Sequence, residues 1–146
     1  MNPDFLFGVS QFTTNPWTFE QDIEAYARLG VQAIEVCEFK LTDDAWQQQM
    51  SLPAAHGLAI TSIQPVVRTL FPSLSQPVPQ DIESRMARFR QSIERLAPYA
   101  PGTPFVTNTG IAPNGSNRKS LRRRCASTAS CPTLPPATVR ELPWSH

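Results

Sequence analysis

The amino-acid sequence predicts an α/β fold built around a parallel sheet. Short apolar runs alternate with segments of helical periodicity, and the unit recurs at a spacing of roughly 25–45 residues, which is typical of strand–helix–strand units. The run from Val31 to Phe39 is mostly apolar on both faces. Such a strand is typical of a parallel sheet that helices cover.

The first unit consists of a strand, a helix and a second strand. Leu6 to Phe12 is a short, mostly apolar run and predicts the first strand. Thr18 predicts the start of a helix, because Gln21 completes a capping box three residues later. Gly30 predicts its end as a left-handed cap, before the strand from Val31 to Phe39. The apolar stripe of this helix comprises Phe19, Ile23, Tyr26, Ala27 and Leu29.

The alternation then continues. Asp43 or Asp44 predicts the start of a second helix that runs through Ala55, and Gly57 predicts its end. A third strand is expected within Leu58 to Val67, ended by Pro65.

A proline-rich loop then leads to the most regular helix, from about Asp81 to Leu96. Phe105 to Thr109 predicts a fourth strand. One face of the helix is apolar (Ile82, Met86, Phe89, Ile93 and Leu96), and charged residues are expected on its other faces (Glu83, Arg85, Arg88, Arg90 and Glu94).

Composition divides the chain into residues 1–116 and 117–146. The second part carries six of the 13 basic residues, one of the 12 acidic residues and four of the 15 prolines. It has almost no apolar periodicity, so we expect a disordered tail. No apolar run approaches the roughly 18 residues of a membrane helix, so no membrane partner is expected. The first residues lack the pattern of a secretory signal, and three cysteines do not form a disulfide framework, so a cytoplasmic location is expected.

The basic tail has two interpretations. It is either an arm that binds nucleic acid or another anionic surface, or the product of a shift in reading frame near residue 116. Codons chosen for residues 123–146 and read two bases out of phase encode an amphipathic helix and a buried strand that ends in Glu-Pro. We favour the frame shift and expect no nucleic-acid partner.

Four motifs carry a family resemblance: FGVSQFTT at 7–14, AIEVCEFKL at 33–41, IQPVVRTLFP at 63–72 and PFVTNTG at 104–110. In this order they resemble the sugar phosphate isomerase/epimerase family of xylose-isomerase-like TIM barrels. A complete (β/α)₈ barrel needs about 250 residues. The resemblance therefore implies a partial (β/α)₈ TIM barrel that consists of the first four strands and three helices.

The resemblance also implies the chemistry. Members of this family move a proton between adjacent carbons of a sugar or sugar phosphate. They use a divalent metal, Mn²⁺ or Mg²⁺, held at the ends of the later strands, where it stabilises an enediolate. Those strands have no counterpart in this chain. We therefore expect no metal ligand, no catalytic residue and no activity in the chain as it stands.

Polar residues near the carboxyl ends of the predicted strands are the candidates for substrate binding, since barrel active sites lie at that edge. Glu35 and Glu38 belong to the second strand, Gln64 ends the third, Arg68 follows it, and Asn108 lies near the end of the fourth. Arg68 could hold a phosphate or carboxylate through two hydrogen bonds. The alternatives are carboxylates paired with a neighbouring arginine, and an arginine that is solvated.

Two aromatic residues, Phe12 and Trp17, are candidates for an apolar wall against the sugar, although aromatic residues near strand ends also serve simple packing. The sequence thus leaves two functions open. One is a fragment of a sugar isomerase/epimerase, and the other is a non-catalytic half-barrel that binds or assembles with a second chain. In both cases exposed sheet edges predict self-association.

Overall fold

The computed structural model describes residues 5–110 and shows an α/β fold, as predicted. Its strands and helices alternate along the chain. The strands are β1 (Gly8–Ser10), β2 (Ala33–Cys37) and β3 (Ala59–Gln64); the helices are α1 (Phe19–Arg28), α2 (Trp46–Ala55) and α3 (Ile82–Leu96). Single 3₁₀ turns follow β1, β2 and α3, at Gln11–Thr14, Glu38–Lys40 and Ala97–Tyr99. The tail, residues 117–146, lies outside the described residues. The expectation of a disordered tail and the two interpretations of its sequence therefore concern residues that the structure does not describe.

The three strands form one parallel sheet in the order β1-β2-β3. Val9 pairs with Ile34 between the first two strands, and Glu35 pairs with Ser62 between the second and third. The pairing of β2 with β3 shifts by one residue between Ile34 and Glu35. The parallel sheet predicted from the two-sided apolar character of the second strand is confirmed.

The predicted fourth strand is wrong as a continuous element. Phe105 and Asn108 form isolated parallel bridges, to Ile63 and to Thr69 respectively. The Val106 N–H donates to the Ile63 carbonyl, and the next bond of a regular ladder would come from the N–H of residue 65. Residue 65 is proline, which has no N–H, so the ladder stops and resumes only at Arg68, whose carbonyl accepts from Asn108.

The hydrophobic core lies between one face of the sheet and the helices. Ile34, Val36 and Ile63 are fully buried there, and each such side chain contributes roughly 1.5–3 kcal/mol of burial free energy. The remaining members come mainly from the helices and the segments that join them: Phe19, Ile23, Tyr26, Val31, Met50, Leu58, Leu96 and Ala100.

The helix ends follow the predicted signals with one exception. Thr18 and Gln21 form the capping box of α1, and Gly30 and Gly57 have φ values of 75° and 74° behind the first two helices. The exception is α2, which starts at Trp46 and not at an aspartate cap. Residues 42–45 form a turn instead, because the N–H groups of residues 45 and 46 both donate to the Thr42 carbonyl.

Arg85 of the third helix does not lie where the sequence predicts it. Asp81 caps this helix by accepting from the Ser84 N–H, as its position predicts. Arg85 was expected on an outer face, yet it is fully buried, and Met86 of the predicted apolar face is 39% exposed. The reason is the preceding loop, whose carbonyl groups surround the Arg85 guanidinium. None of the helices in residues 5–110 is long and apolar enough to span a bilayer.

Candidate functional site

The carboxyl ends of the three parallel strands meet at one edge of the sheet. Ser10, Cys37 and Gln64 are the last residues of β1, β2 and β3. The next residues, in particular Gln11 and Glu38, extend the same edge. Side chains from three segments far apart in the sequence thereby come together where α/β proteins bind ligands.

Glu35 lies within a row of polar side chains that crosses the sheet. Its Oε1 accepts from the Ser62 Oγ at 3.1 Å, and its Oε2 accepts from the Ser10 Oγ. The register explains the row, since both serines pair with Glu35 on the neighbouring strands. The two hydroxyl groups hold the carboxylate in place. Glu35 therefore links the three strands through side-chain hydrogen bonds, close to their carboxyl ends.

Cys37 and Gln64 form the next layer toward the edge. The Cys37 Sγ lies 3.6 Å from the Gln64 Oε1, and the Cys37 N–H donates to the Gln11 Oε1 at 2.9 Å. Burial, together with the nearby charge of Glu35, raises the pKa of the Cys37 thiol to about 11. The thiol therefore stays protonated at neutral pH and acts as a small packing group.

Gln11 is fully buried, and its amide is only half satisfied. The Oε1 atom accepts from the Cys37 N–H, whereas Nε2 has no hydrogen-bond partner among residues 5–110. A buried donor without an acceptor costs roughly 1–3 kcal/mol. Gln11 could not be recognised from the sequence, because one glutamine after a short strand carries no distinguishing signal.

Glu38 is buried at the end of β2, with 7% of its surface exposed. Its Oε2 accepts from the Val66 N–H at 2.7 Å, which ties the end of β2 to the segment after β3. Its Oε1 lies 3.9 Å from the Arg95 Nη1, too far for a hydrogen bond. The arginine partner that the sequence left open as an alternative is therefore present, but Oε1 keeps its capacity to accept a hydrogen bond.

Arg68 and Phe12 lie together, and Phe39 joins them. The Arg68 Cζ is 5.9 Å from the centroid of the Phe12 ring, and Phe12 meets Phe39 edge-to-face at 6.2 Å. The Arg68 Nη2 donates to the Ser75 carbonyl at 3.2 Å. Trp17 lies elsewhere, in a shallow depression beside Glu24 and Arg28 of α1. The aromatic pair at the edge is therefore Phe12 with Phe39, and not Phe12 with Trp17.

Asn108 is brought next to Arg68 by backbone hydrogen bonds. The Asn108 N–H donates to the Arg68 carbonyl at 2.9 Å, and the Asn108 carbonyl accepts from the Leu70 N–H at 2.8 Å. The Asn108 side chain is exposed. The backbone of Asn108 is thus joined to the loop that carries Arg68.

A groove of about 700 Å³ opens beside Glu38, between the segment after β2 and one face of α3. Its lining includes Glu38, Phe39, Asp43 and Val66 on one side and Arg88, Gln91, Ser92 and Arg95 on the other. Arg88 was expected on a polar face of the helix, and Arg95 was not among the expected site residues. Their spacing of seven residues, two turns of one helix, is the signal that could have paired them.

A buried polar network connects α1 with the turns that follow β1 and β2, next to the carboxyl edge of the sheet. Lys40 and Asp22 form an ion pair, and the Thr14 Oγ1 lies 2.7 Å from the Tyr26 Oη. Burial raises the pKa of Tyr26, and the nearby charge of Asp22 acts in the same direction. This network could not be predicted from the sequence, because Tyr26 fits the apolar stripe of α1 and Lys40 resembles any surface lysine.

The described residues do not fit a divalent metal. Within residues 5–110, no three His, Cys, Asp or Glu side chains lie close enough to share an ion. The carboxylates nearest the edge, Glu35 and Glu38, already accept from serine hydroxyls and from the Val66 N–H.

Comparison with known proteins does not assign this chain to a family. The chain matches no protein-family model, and no curated protein matches it significantly.

Proposed function

We propose that the carboxyl edge of the sheet binds a sugar or sugar phosphate, and that the chain is the amino-terminal part of a sugar isomerase/epimerase barrel. The observation that carries the proposal is the convergence of Glu38, Gln64 and the Phe12–Phe39 pair after three parallel strands. The motif resemblance supports the family, and the parallel strand–helix order supports a partial (β/α)₈ barrel.

The edge offers the contacts that a sugar needs. A sugar presents hydroxyl groups at its rim and C–H groups on its faces, so it binds to polar side chains that lie next to aromatic ones. The Glu38 Oε1 can accept from one hydroxyl, and the Gln64 amide can donate to another. Phe12 and Phe39 supply an apolar surface beside them, and Arg68 and Asn108 border it.

Isomerisation needs more than these contacts. A base must take a proton from one carbon, and a positive group must stabilise the enediolate that forms. In the family that the sequence resembles, Mn²⁺ or Mg²⁺ supplies that stabilisation. Glu38 binds and orients the ligand here, Glu35 is held by the Ser10 and Ser62 hydroxyl groups, and no catalytic residue is assigned to the chain. The proposal is therefore binding by this chain, with the chemistry completed elsewhere in a full barrel.

Titration of the 146-residue chain with a neutral pentose, followed by amide chemical shifts, tests the proposal. We expect saturable shifts at residues 36–39 and 64–68, and about tenfold weaker binding in Glu38→Gln and in Gln64→Ala. Gln47→Ala is the matched control, since Gln47 is exposed on α2. Shifts that do not saturate, or equal binding by all three variants, would contradict the proposal.

A half-barrel that assembles with a second chain is the other candidate. Phe5 and Phe7, which lead into β1, are 79% and 66% exposed, and Val106 beside β3 is 43% exposed. Apolar side chains at both margins of a sheet favour association. Light scattering on the eluted protein should show oligomers, and Phe7→Lys should reduce them. A monomer at high concentration would exclude this candidate.

A further inference from the structure

The groove beside Glu38 presents an arginine-rich helix face that the proposed sugar contacts do not use. Arg88, Gln91 and Arg95 line it, at positions that fall on one side of α3. Its volume of about 700 Å³ is within the range of small-molecule sites, roughly 300–1,000 Å³. The groove therefore has room for a ligand larger than a single ion.

Arg95 is held in place without using its hydrogen-bond donors. Its guanidinium stacks on the Trp46 ring, with Cζ 4.6 Å from the centroid, and its side chain is 30% exposed. The nearest carboxylate oxygens, from Glu38 and Asp43, lie at 3.9 and 3.8 Å, beyond hydrogen-bond length. Within the described part of the chain, none of its N–H groups has an acceptor in hydrogen-bond range.

Arg85, on a neighbouring face of the same helix, differs from Arg95 in its hydrogen bonds. All three of its guanidinium nitrogens donate hydrogen bonds, to oxygens of Thr69, Gln76 and Pro79. Arg85 is therefore a structural residue whose donors are satisfied. Arg95 forms only long ion pairs with Glu38 and Asp43 and makes no side-chain hydrogen bond within residues 5–110, so its fork can still bind carboxylate or phosphate through two hydrogen bonds.

Arg88 supplies a second positive charge to the groove. It lies two turns before Arg95, about 10 Å along the helix axis, a distance that two arginine side chains can span. Arg88 forms no ion pair with any residue between 5 and 110. Of the two acidic residues in the groove, Asp43 is fully exposed to solvent, and Glu38 directs Oε2 to the Val66 N–H.

We infer that Arg88 and Arg95 bind the phosphate of a phosphorylated sugar or polyol whose hydroxyl end reaches Glu38. Two guanidinium groups match a phosphomonoester, which carries roughly 1.5–2 negative charges at neutral pH, better than a carboxylate, which carries one. The inference deepens the proposed function and rests on it for the hydroxyl end of the ligand. The phosphate site depends only on the arginines of α3 and on Trp46, and not on the proposed sugar contacts.

Glycerol 3-phosphate is a suitable probe for the intact 146-residue chain, with inorganic phosphate and glycerol as its two halves. We expect saturable binding of glycerol 3-phosphate by calorimetry and a shift of the Trp46 indole signal, assigned through Trp46→Phe. Arg95→Gln and Arg88→Gln should each weaken binding about tenfold or more. Arg95→Lys should weaken it less, because it keeps the charge and loses the fork.

Arg90→Gln is the matched control, because Arg90 is exposed on the opposite side of α3. It should bind the probe as the parent chain does, and circular dichroism should show the same fold in every variant. Equal affinity in the parent chain, Arg95→Gln and Arg88→Gln would overturn the inference, and so would an equal loss in Arg90→Gln. Inorganic phosphate that binds with the same arginine dependence, beside a neutral pentose that does not bind, would support the phosphate site while contradicting the proposed sugar contacts.

Discussion

Lys40 and Asp22 form an ion pair in the interior of the protein. The Lys40 Nζ lies 2.6 Å from the Asp22 Oδ2, and the two side chains are 3% and 0% exposed. Thr14 contacts both partners, since its Oγ1 donates to the Asp22 Oδ1 and its carbonyl accepts from the Lys40 Nζ. The pair therefore joins the turns after β1 and β2 to α1, beneath the candidate site.

Removing one partner of this pair should destabilise the fold strongly. In Lys40→Met the Asp22 carboxylate stays buried and loses its counter-charge, so we expect the free energy of unfolding to fall by about 3–5 kcal/mol. Urea denaturation followed by circular dichroism measures the change. The double variant Asp22→Leu/Lys40→Met should recover much of the loss, because no uncompensated charge remains. A single variant within 1 kcal/mol of the parent would contradict the role of the pair, given the usual effect of an unpaired buried charge.

The Cys37 thiol should be unreactive in the folded protein. Burial raises its pKa to about 11, and only the thiolate attacks a disulfide reagent. In a Cys125→Ser/Cys131→Ser background, Cys37 is the one remaining cysteine. We expect Ellman's reagent to react with this variant at neutral pH only after denaturant is added. Rapid stoichiometric reaction without denaturant would contradict the burial of Cys37.

The same thiol should make stability fall in alkali. The folded-state pKa of about 11 lies above the ordinary value of 9.0, so the unfolded chain loses this proton first as the pH rises. The stabilising effect is complete below pH 9 and disappears between about pH 9 and 11, at a cost of at most roughly 3 kcal/mol. Cys37→Ala in the same background should show a shallower decline. The raised pKa of Tyr26 acts in the same direction and remains in both proteins.

Arg85 should prove essential to the loop between β3 and α3. Its guanidinium donates to the carbonyl oxygens of Thr69, Gln76 and Pro79, and a lysine cannot reach all three at once. We expect Arg85→Lys to lose about 2–4 kcal/mol of stability, since buried carbonyl groups are left unpaired. Hydrogen exchange in residues 68–80 should accelerate most. Arg90→Lys, on the exposed side of the helix, should change neither quantity.

The capping box of α1 offers a smaller test. Thr18→Ala removes the acceptor for the Gln21 N–H, and we expect a loss of about 1 kcal/mol in urea denaturation. Thr18→Ser keeps the oxygen and should stay close to the parent. If the alanine and serine variants were equally stable, the cap would contribute nothing.

Local signals predicted most of the fold. Thr18, Gln21, Gly30 and Gly57 each act within one helical turn, so their meaning does not depend on the rest of the molecule. The prediction of a fourth strand was wrong because of a residue on the neighbouring segment. Phe105 to Thr109 has a strand-like sequence, but Pro65 on its neighbour lacks the N–H that a continuous ladder requires.

The site was harder to predict, because polar side chains acquire their roles from tertiary contacts. Glu38, Gln64 and Arg68 could be placed at the edge from their positions near, at or just after the ends of predicted strands. Arg85 and Arg95 differ in environment although both belong to the same helix, and only the loop and Trp46 explain why. Helical periodicity gives the angle around the axis, and it does not reveal what covers each side.

The separation between paired strands also determines how this chain must fold. Glu35 meets Ser10 and Ser62, which lie 25 and 27 residues away in the sequence. Among residues 5–110, no two neighbouring strands of the sheet are joined by a short hairpin, so each pairing closes a long loop before any ladder bond forms, and such closure slows folding. Helices form within about a microsecond. We therefore expect α1 and α3 to contribute the earliest native structure, with the pairing of the strands as the rate-limiting event.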